Sequence, residues 1–165
     1  MLEKLDSISS LNIQPSTLDL SMHVIRLRGP WQVEPLARFV PQSDGSCVAV
    51  GEDLPAAVRV TMPADWAAAL GADFVGRVRY SRSFHRPTGL DFGERVFLVV
   101  EGPRSRGVVE LNHKRLGKVS WGAAPLRVDV TDLLGGDERL EIVVEHGDAA
   151  TVGGLVGEVW LEIED

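Results

Sequence analysis

The chain has 165 residues, of which 44% are hydrophobic and 25% are charged, the composition of one ordinary globular domain with room for a substantial core. Its net charge of -7 repels phosphate backbones and anionic lipid surfaces, so we expect neither nucleic acid nor a membrane as a partner. The single cysteine, Cys47, excludes an internal disulfide and disfavours a metal site built from cysteines.

Residues 1–21 are rich in serine, and their apolar positions have helix-like spacing, at Leu2, Leu5, Ile8 and Leu11. We expect these residues to form an arm before the folded domain. The arm forms a short helix, docks onto a protein partner or is exchanged between the subunits of a homodimer. The arm has no basic region followed by an apolar core, and no run in the chain approaches the ~20 apolar residues of a membrane span. We therefore expect a cytoplasmic protein.

Residues 22–165 carry the pattern of an all-β domain. The sequence predicts about ten short strands at intervals of about ten residues, a spacing typical of sandwiches and barrels. In one of them Leu126, Val128 and Val130 fall on one face and polar residues on the other, which indicates a sheet buried on one side. The predicted strands are 22–27, 31–35 (ended by its proline), 58–62, 77–84, 95–100, 107–111, 115–120, 126–131, 140–145 and 156–163.

Two other segments lie between the strands. A short helix is predicted over residues 66–70, because Asp65 can cap its start and Gly71 can end it. Residues 147–157 are rich in glycine and alanine, and we expect a flexible connection there. The prediction is one β domain, residues 22–165, preceded by the arm of residues 1–21.

Several segments, taken together and in order, resemble a known family. They are RGPWQVEP (28–35), MPADW (62–66), FVGRVRYSRSF (74–84), the hairpin at Asn112, DVT (129–131), RLEIVV (139–144) and GGLVGEVWL (153–161). In this order they resemble the N-terminal sugar-binding domain of family 2 glycoside hydrolases, the β-galactosidase and β-glucuronidase type enzymes. The resemblance implies a jelly-roll β-sandwich of the galactose-binding-like class.

The resemblance carries no catalytic residue over to this chain. The family's two catalytic carboxylates lie in a separate barrel domain, and a barrel needs about 250 residues. A chain of 165 residues cannot hold that barrel beside the sandwich, so we expect no enzymatic activity.

One departure from the family pattern affects the hairpin. His113 follows Asn112 where the family usually has glycine. A two-residue type I′ turn needs positive φ at both positions, which histidine accepts less readily than glycine. We therefore expect a longer turn or a turn of another type.

The residues suggest neither a metal site nor a cofactor. Asp129 and Asp132 around Thr131 are interpreted as turn caps, with a structural calcium ion as the alternative. Glu141 and Glu145 share a strand face, as a glycosidase pair would, but the alternation favours a solvated sheet face. The histidines lack metal-ligand spacing; they are His23, His85, His113 and His146.

Sugar recognition needs an aromatic face against the C–H surface of the sugar and polar groups for its hydroxyls. Trp121 is the candidate aromatic residue because it lies in a loop, as an exposed platform or as a lid over the sandwich, whereas the other tryptophans fall in strands or the helix. The candidate polar groups are His113 and Arg115 at the hairpin tip and Arg104 and Arg106 in the preceding loop, although these also fit a solvated turn.

We therefore expect a non-catalytic module that binds a glycan. The alternative is a protein-interaction or structural β-sandwich domain that binds no sugar and uses the arm as its contact.

Overall fold

The computed structural model describes residues 22–165, and the predicted arm, residues 1–21, lies outside the described residues. The described chain forms strands β1 to β11, one short α-helix and one 3-10 turn. The strands are β1 His23–Arg26, β2 Trp31–Pro41, β3 Cys47–Val50, β4 Val58–Val60, β5 Gly76–His85, β6 Arg95–Val100, β7 Arg106–Leu111, β8 Lys114–Ser120, β9 Leu126–Asp129, β10 Asp137–His146 and β11 Val159–Glu164. The helix α1 is Ala67–Leu70, and the 3-10 turn is Thr131–Leu133.

The strands form two antiparallel sheets that pack face to face. The smaller sheet has the order β1-β11-β6-β9. The larger sheet has the order β3-β2-β5-β10-β7-β8, with β4 added beside β2. The all-β sandwich predicted from the sequence is thereby confirmed.

The core lies between the sheets and is built by alternation along each strand. In β10, Leu140, Ile142 and Val144 are fully buried, whereas the intervening Glu141 and Glu145 lie on the opposite face and are only partly covered. Strands at the centre of each sheet therefore contribute every second residue to the core.

The strand β2 corrects the expectation that Pro35 ends it. The strand runs on to Pro41, and its register against β5 shifts between Pro35 and Ala37. Proline has no backbone N–H, and a β-bulge accommodates it. Pro35 therefore interrupts the hydrogen bonding between β2 and β5 but does not end β2.

The predicted helix is confirmed over Ala67–Leu70. The carboxylate of Asp65 accepts a hydrogen bond from the Ala67 N–H at 3.0 Å, and Gly71 ends the helix with a φ of 99°. Within residues 22–165 no helix has the length and apolar character that crossing a membrane requires.

The β7–β8 hairpin corrects a second expectation. Its turn has only the residues Asn112 and His113, both with positive φ, 51° and 65°, as in a type I′ turn. The Asn112 side chain explains why the tight turn forms, because Nδ2 donates to Glu138 Oε2 at 2.5 Å and Oδ1 accepts from the Arg139 N–H at 2.8 Å. The expected longer or different turn was wrong, since contacts with β10 hold the turn in place.

Residues 153–155 are buried while residues 147–151 are exposed, which corrects the expectation of a flexible connection for the second half of the segment 147–157. Gly153 and Gly154 are buried, and their carbonyls accept hydrogen bonds from the Trp66 N–H at 3.1 Å and the Arg104 N–H at 2.9 Å. A Cβ on Gly153 would lie 2.1 Å from Trp66 Cζ2. Glycine is needed here for close packing, not for flexibility.

The sandwich has two ends that carry different loops. Arg106 pairs with Ser120, so β7 begins where β8 ends, and Leu111 pairs with Lys114 at the turn. We call the first end the Trp121 end; its loops are 101–105, 121–125 and 147–158. We call the second the His113 end; its loops are 86–94, 112–113 and 130–136.

Candidate ligand-binding site

Trp121 follows β8 directly and is 60% exposed. Its backbone N–H donates to the Ser105 carbonyl at 2.8 Å, and Gly122, with a φ of 75°, turns the chain behind it. The backbone is therefore fixed while the indole remains open to solvent. A side chain with this exposure does not form a lid packed over the core.

Arg104 lies against Trp121. Its Cζ is 5.3 Å from the indole ring centroid, within the range of a cation–π contact. The loop that carries Arg104 packs closely against the end of β8, because a Cβ on Gly102 would lie 2.2 Å from the Ser120 carbonyl oxygen. The Nε of Arg104 is buried and has no hydrogen-bond partner among residues 22–165. The loop thus presents a positioned aromatic–cation pair with an unused donor.

A cavity on one side of this pair is lined by polar side chains. His146 is 3% exposed, and its Nε2 lies 2.9 Å from the Thr151 carbonyl oxygen. A proton on Nε2 makes Nδ1 an acceptor, and Nδ1 has no partner in the described chain. Asp148 is oriented by hydrogen bonds from the Ala150 N–H at 2.9 Å and from the Thr151 hydroxyl at 3.1 Å. The cavity is lined by Arg104, Ser105, Trp121, His146, Asp148 and Thr151.

A second cavity lies on the other side of Trp121. It is lined mainly by backbone and small residues, and Glu101 is its acidic member. The Glu101 carboxylate accepts a hydrogen bond from the Glu158 N–H at 2.7 Å. Trp121 and Arg104 line both cavities, so one indole and one arginine border two concave surfaces.

Arg106 lies at the same end but is held in an ion pair. Its Nη2 lies 2.8 Å from Glu145 Oε2, and Arg77 Nε donates to Glu145 Oε1 at 2.8 Å. Burial raises the pKa of Glu145, but the hydrogen bonds from the two arginines outweigh it and hold that pKa below its ordinary value. The positive charge of Arg106 is therefore neutralised by the carboxylate of Glu145 on the neighbouring strand β10.

The structure does not bring all the predicted site residues together. His113 and Arg115 are exposed at the hairpin tip, at the His113 end. The strand β7 separates them from Trp121 by about five rises of ~3.3 Å, or roughly 16 Å. Trp121 and Arg104 line the same two cavities, Arg106 lines neither of them, and the two hairpin residues lie too far away to share a small ligand with Trp121.

The acidic residues considered as catalytic or metal-binding pairs have structural partners. Glu141 lies 3.1 Å from Arg139. Asp129 accepts hydrogen bonds from the Thr131 N–H at 3.0 Å and hydroxyl at 2.6 Å, and from Arg95 Nε at 2.7 Å, as a turn cap does. Within residues 22–165, no three His, Cys, Asp or Glu side chains are grouped to hold a metal ion.

Sequence reasoning missed His146, Asp148 and Thr151. Asp148 and Thr151 fall in the segment 147–157, which was predicted to be a flexible connection because it is rich in glycine and alanine. His146 did carry a signal, because it shares the alternation of the buried residues of β10. A histidine on the core side of a strand end is a candidate for a polar site.

No protein-family model and no curated protein matches the chain. Solved structures do match. The FMN-binding β-glucuronidase from Faecalibacterium prausnitzii L2-6 matches with a TM-score of 0.65 and 26% identity over 87% of this chain. The Bifidobacterium dentium β-glucuronidase complexed with coumarin-3-O-glucuronide matches with a TM-score of 0.65 and 21% identity over 91% of this chain. A putative β-galactosidase from Bacteroides fragilis matches with a TM-score of 0.61 and 19% identity over 87%.

These enzymes are much longer than this chain, which spans 23%, 31% and 23% of their respective lengths. The similarity therefore concerns one domain of each enzyme and not the whole. It confirms the resemblance predicted from the sequence motifs: over about nine tenths of its length, this chain has the fold of a domain found in family 2 β-glucuronidases and β-galactosidases.

Proposed function

We propose that the protein is a non-catalytic carbohydrate-binding domain whose ligand lies on Trp121. The observation that carries the proposal is an indole with 60% exposure that stands between two cavities beside a guanidinium at 5.3 Å. An indole face packs well against the C–H surface of a pyranose ring, and neighbouring polar groups fix its orientation.

Polar groups for the sugar hydroxyls lie beside the platform. Arg104 supplies donors and lies against the Trp121 ring, and Asp148 supplies acceptors and is oriented by hydrogen bonds within its own loop. His146 lines the same cavity, but its Nδ1, unpaired in the described chain, is buried, so Asp148 is the acceptor that a ligand can reach. A sugar hydroxyl both donates and accepts hydrogen bonds. An aromatic ring with donors and acceptors beside it therefore suits a sugar as its ligand.

The domain alone is proposed to bind and not to hydrolyse. Glycosidases need two carboxyl groups that flank the scissile bond. The carboxylates beside Trp121, those of Glu101 and Asp148, accept hydrogen bonds from backbone N–H groups and line different cavities. We expect no turnover of aryl β-glycosides by the purified chain.

Isothermal titration calorimetry tests the proposal with methyl β-glucuronide, methyl β-galactoside and β-linked oligosaccharides. We expect millimolar or tighter binding of at least one sugar and a loss of up to about tenfold in Trp121→Ala, because an aromatic contact contributes roughly 0.5–1.5 kcal/mol and about 1.4 kcal/mol is tenfold in affinity. Phe92→Ala is the matched control, since Phe92 is another exposed aromatic residue but lies at the His113 end. Equal affinity of the two variants would exclude Trp121 as the platform.

Absence of binding across the panel would favour the alternative, a protein-interaction or structural domain. Sedimentation equilibrium of the full chain then tests its first prediction. A homodimer formed through residues 1–21 gives twice the mass of the chain, whereas a monomer leaves only a different protein as the partner.

A further inference from the structure

A third concave surface lies on the larger sheet, away from Trp121. The pairing of β2 with β5 begins at Gln32 and Ser81, while β5 continues to His85. This step between the strands opens a cavity beside the last residues of β5. The polar side chains that line it are Gln32, Arg59, Ser81, Arg82, Ser83 and Arg139.

The charge of this cavity is opposite to that of the protein. The chain has a net charge of -7, yet the lining includes three arginines and neither an aspartate nor a glutamate. Arg139 is paired with Glu141 at 3.1 Å. Among residues 22–165, Arg59 and Arg82 have no carboxylate within ion-pair distance. Two positive charges therefore converge without compensation in an acidic protein.

Arg82 is the least satisfied of the arginines. Its Nε is buried without a partner in the described chain, and its Nη1 reaches only the Pro30 carbonyl oxygen, at 3.5 Å. Burial holds the pKa of Arg82 below its ordinary value, although a guanidinium remains charged at neutral pH. A half-buried cation without a partner is costly, and an anion in the cavity would offset that cost.

We propose that this cavity binds a tetrahedral oxyanion, a phosphate or sulfate group that is either free or carried on a sugar. Three arginines and two serines from β4, β5 and β10 line it, and their side chains are hydrogen-bond donors. A planar carboxylate is satisfied by one bidentate arginine, whereas several donors from different directions suit a tetrahedral group. The site is independent of the sugar proposal, because its lining residues line neither cavity beside Trp121.

NMR titration of the full chain tests the proposal through the Nε–H signals of its arginines. Sodium sulfate and sodium phosphate are added at constant ionic strength, with sodium chloride as the balancing salt. We expect saturable shifts of the Arg82 and Arg59 signals with sulfate and phosphate but not with chloride. Glucose 6-phosphate and glucose distinguish a sugar-borne from a free group, since tighter binding of the former than of phosphate indicates a sugar phosphate.

Three variants complete the test. Arg59→Gln and Arg82→Gln should each weaken sulfate binding at least fivefold. Arg115→Gln is the control, because it removes the same charge from the exposed hairpin tip. If Arg82→Gln does not fold, Arg59→Gln decides, since Arg59 is exposed on a short edge strand. Shifts equal to those with chloride, or equal losses in Arg59→Gln and Arg115→Gln, would reduce the effect to general charge screening and overturn the proposal.

Discussion

Replacing Gly153 with alanine measures how firmly the buried part of the segment 147–157 is packed into the interior. The added Cβ would lie 2.1 Å from Cζ2 and 2.4 Å from Cε2 of Trp66, which is 1% exposed. Trp66 cannot retreat easily, because its ring packs edge-on against Phe74 and His146, with centroids 5.5 Å and 5.8 Å away. Overpacking of a core costs about 1–3 kcal/mol, and contact with a rigid indole places this variant near ~3 kcal/mol.

Guanidinium chloride unfolding followed by tryptophan fluorescence measures the loss directly. A loss of ~3 kcal/mol should also lower Tm by roughly 6–12 °C in a domain of this size. Gly147→Ala is the matched control from the same segment, because its Cβ would meet no atom within 4 Å, and we expect a change below about 0.5 kcal/mol. If Gly153→Ala is as stable as Gly147→Ala, the segment does not pack on Trp66 and the reasoning fails.

Three further predictions concern the hairpin turn and the ion pair between Arg127 and Glu162. Asn112→Ala should cost about 2–4 kcal/mol in denaturant unfolding, because the buried Glu138 carboxylate loses a donor at 2.5 Å. His113→Gly should gain about 0.5–1 kcal/mol in the same assay, since a φ of 65° is less favourable for a residue with a Cβ such as histidine than for glycine. A hydrogen bond from Arg127 holds the pKa of Glu162 below its ordinary value, so its stabilisation is present above pH ~4.5 and is lost as the pH falls through the folded-state pKa. Glu162→Gln should therefore be less stable than wild type at pH 7 and equal to it at pH ~2, and an equal loss at both would exclude the carboxylate charge as the cause.

Local patterns were enough to predict the parts of the fold that local physics decides. The alternation of Leu126 and Val128 marks a strand because one face of its sheet is buried. Asp65 and Gly71 delimit the short helix because capping depends on residues within one turn. The order of the motifs then predicted the sandwich.

Tertiary contacts decided what the sequence could not predict. The Asn112 turn is tight because β10 supplies its hydrogen-bond partners, and β10 is distant in sequence. Gly153 and Gly154 resemble a flexible segment in composition, and only the neighbouring Trp66 and Arg104 backbones show why they are glycines.

Only part of the candidate site was predicted, because tertiary contacts also decide which residues meet there. Trp121 was recognisable as a loop aromatic residue, but its partners come from two other loops and the end of β10, which only the fold brings together. His113 and Arg115 are close to Trp121 in sequence and about 16 Å away along β7. Neighbours in a hairpin sequence can lie at opposite ends of its strands.

A 1H–15N map of the full chain during titration with the sugar panel tests the central claim most directly. The indole Nε1–H signal of Trp121 is assigned by its loss in Trp121→Ala. We predict that a β-linked sugar shifts this signal saturably, together with the backbone signals of Arg104 and Asp148, and leaves the signals of the buried Trp31 and Trp66 unchanged. Saturable shifts confined to another surface, or no shift at millimolar concentrations of any sugar, would contradict sugar binding at Trp121.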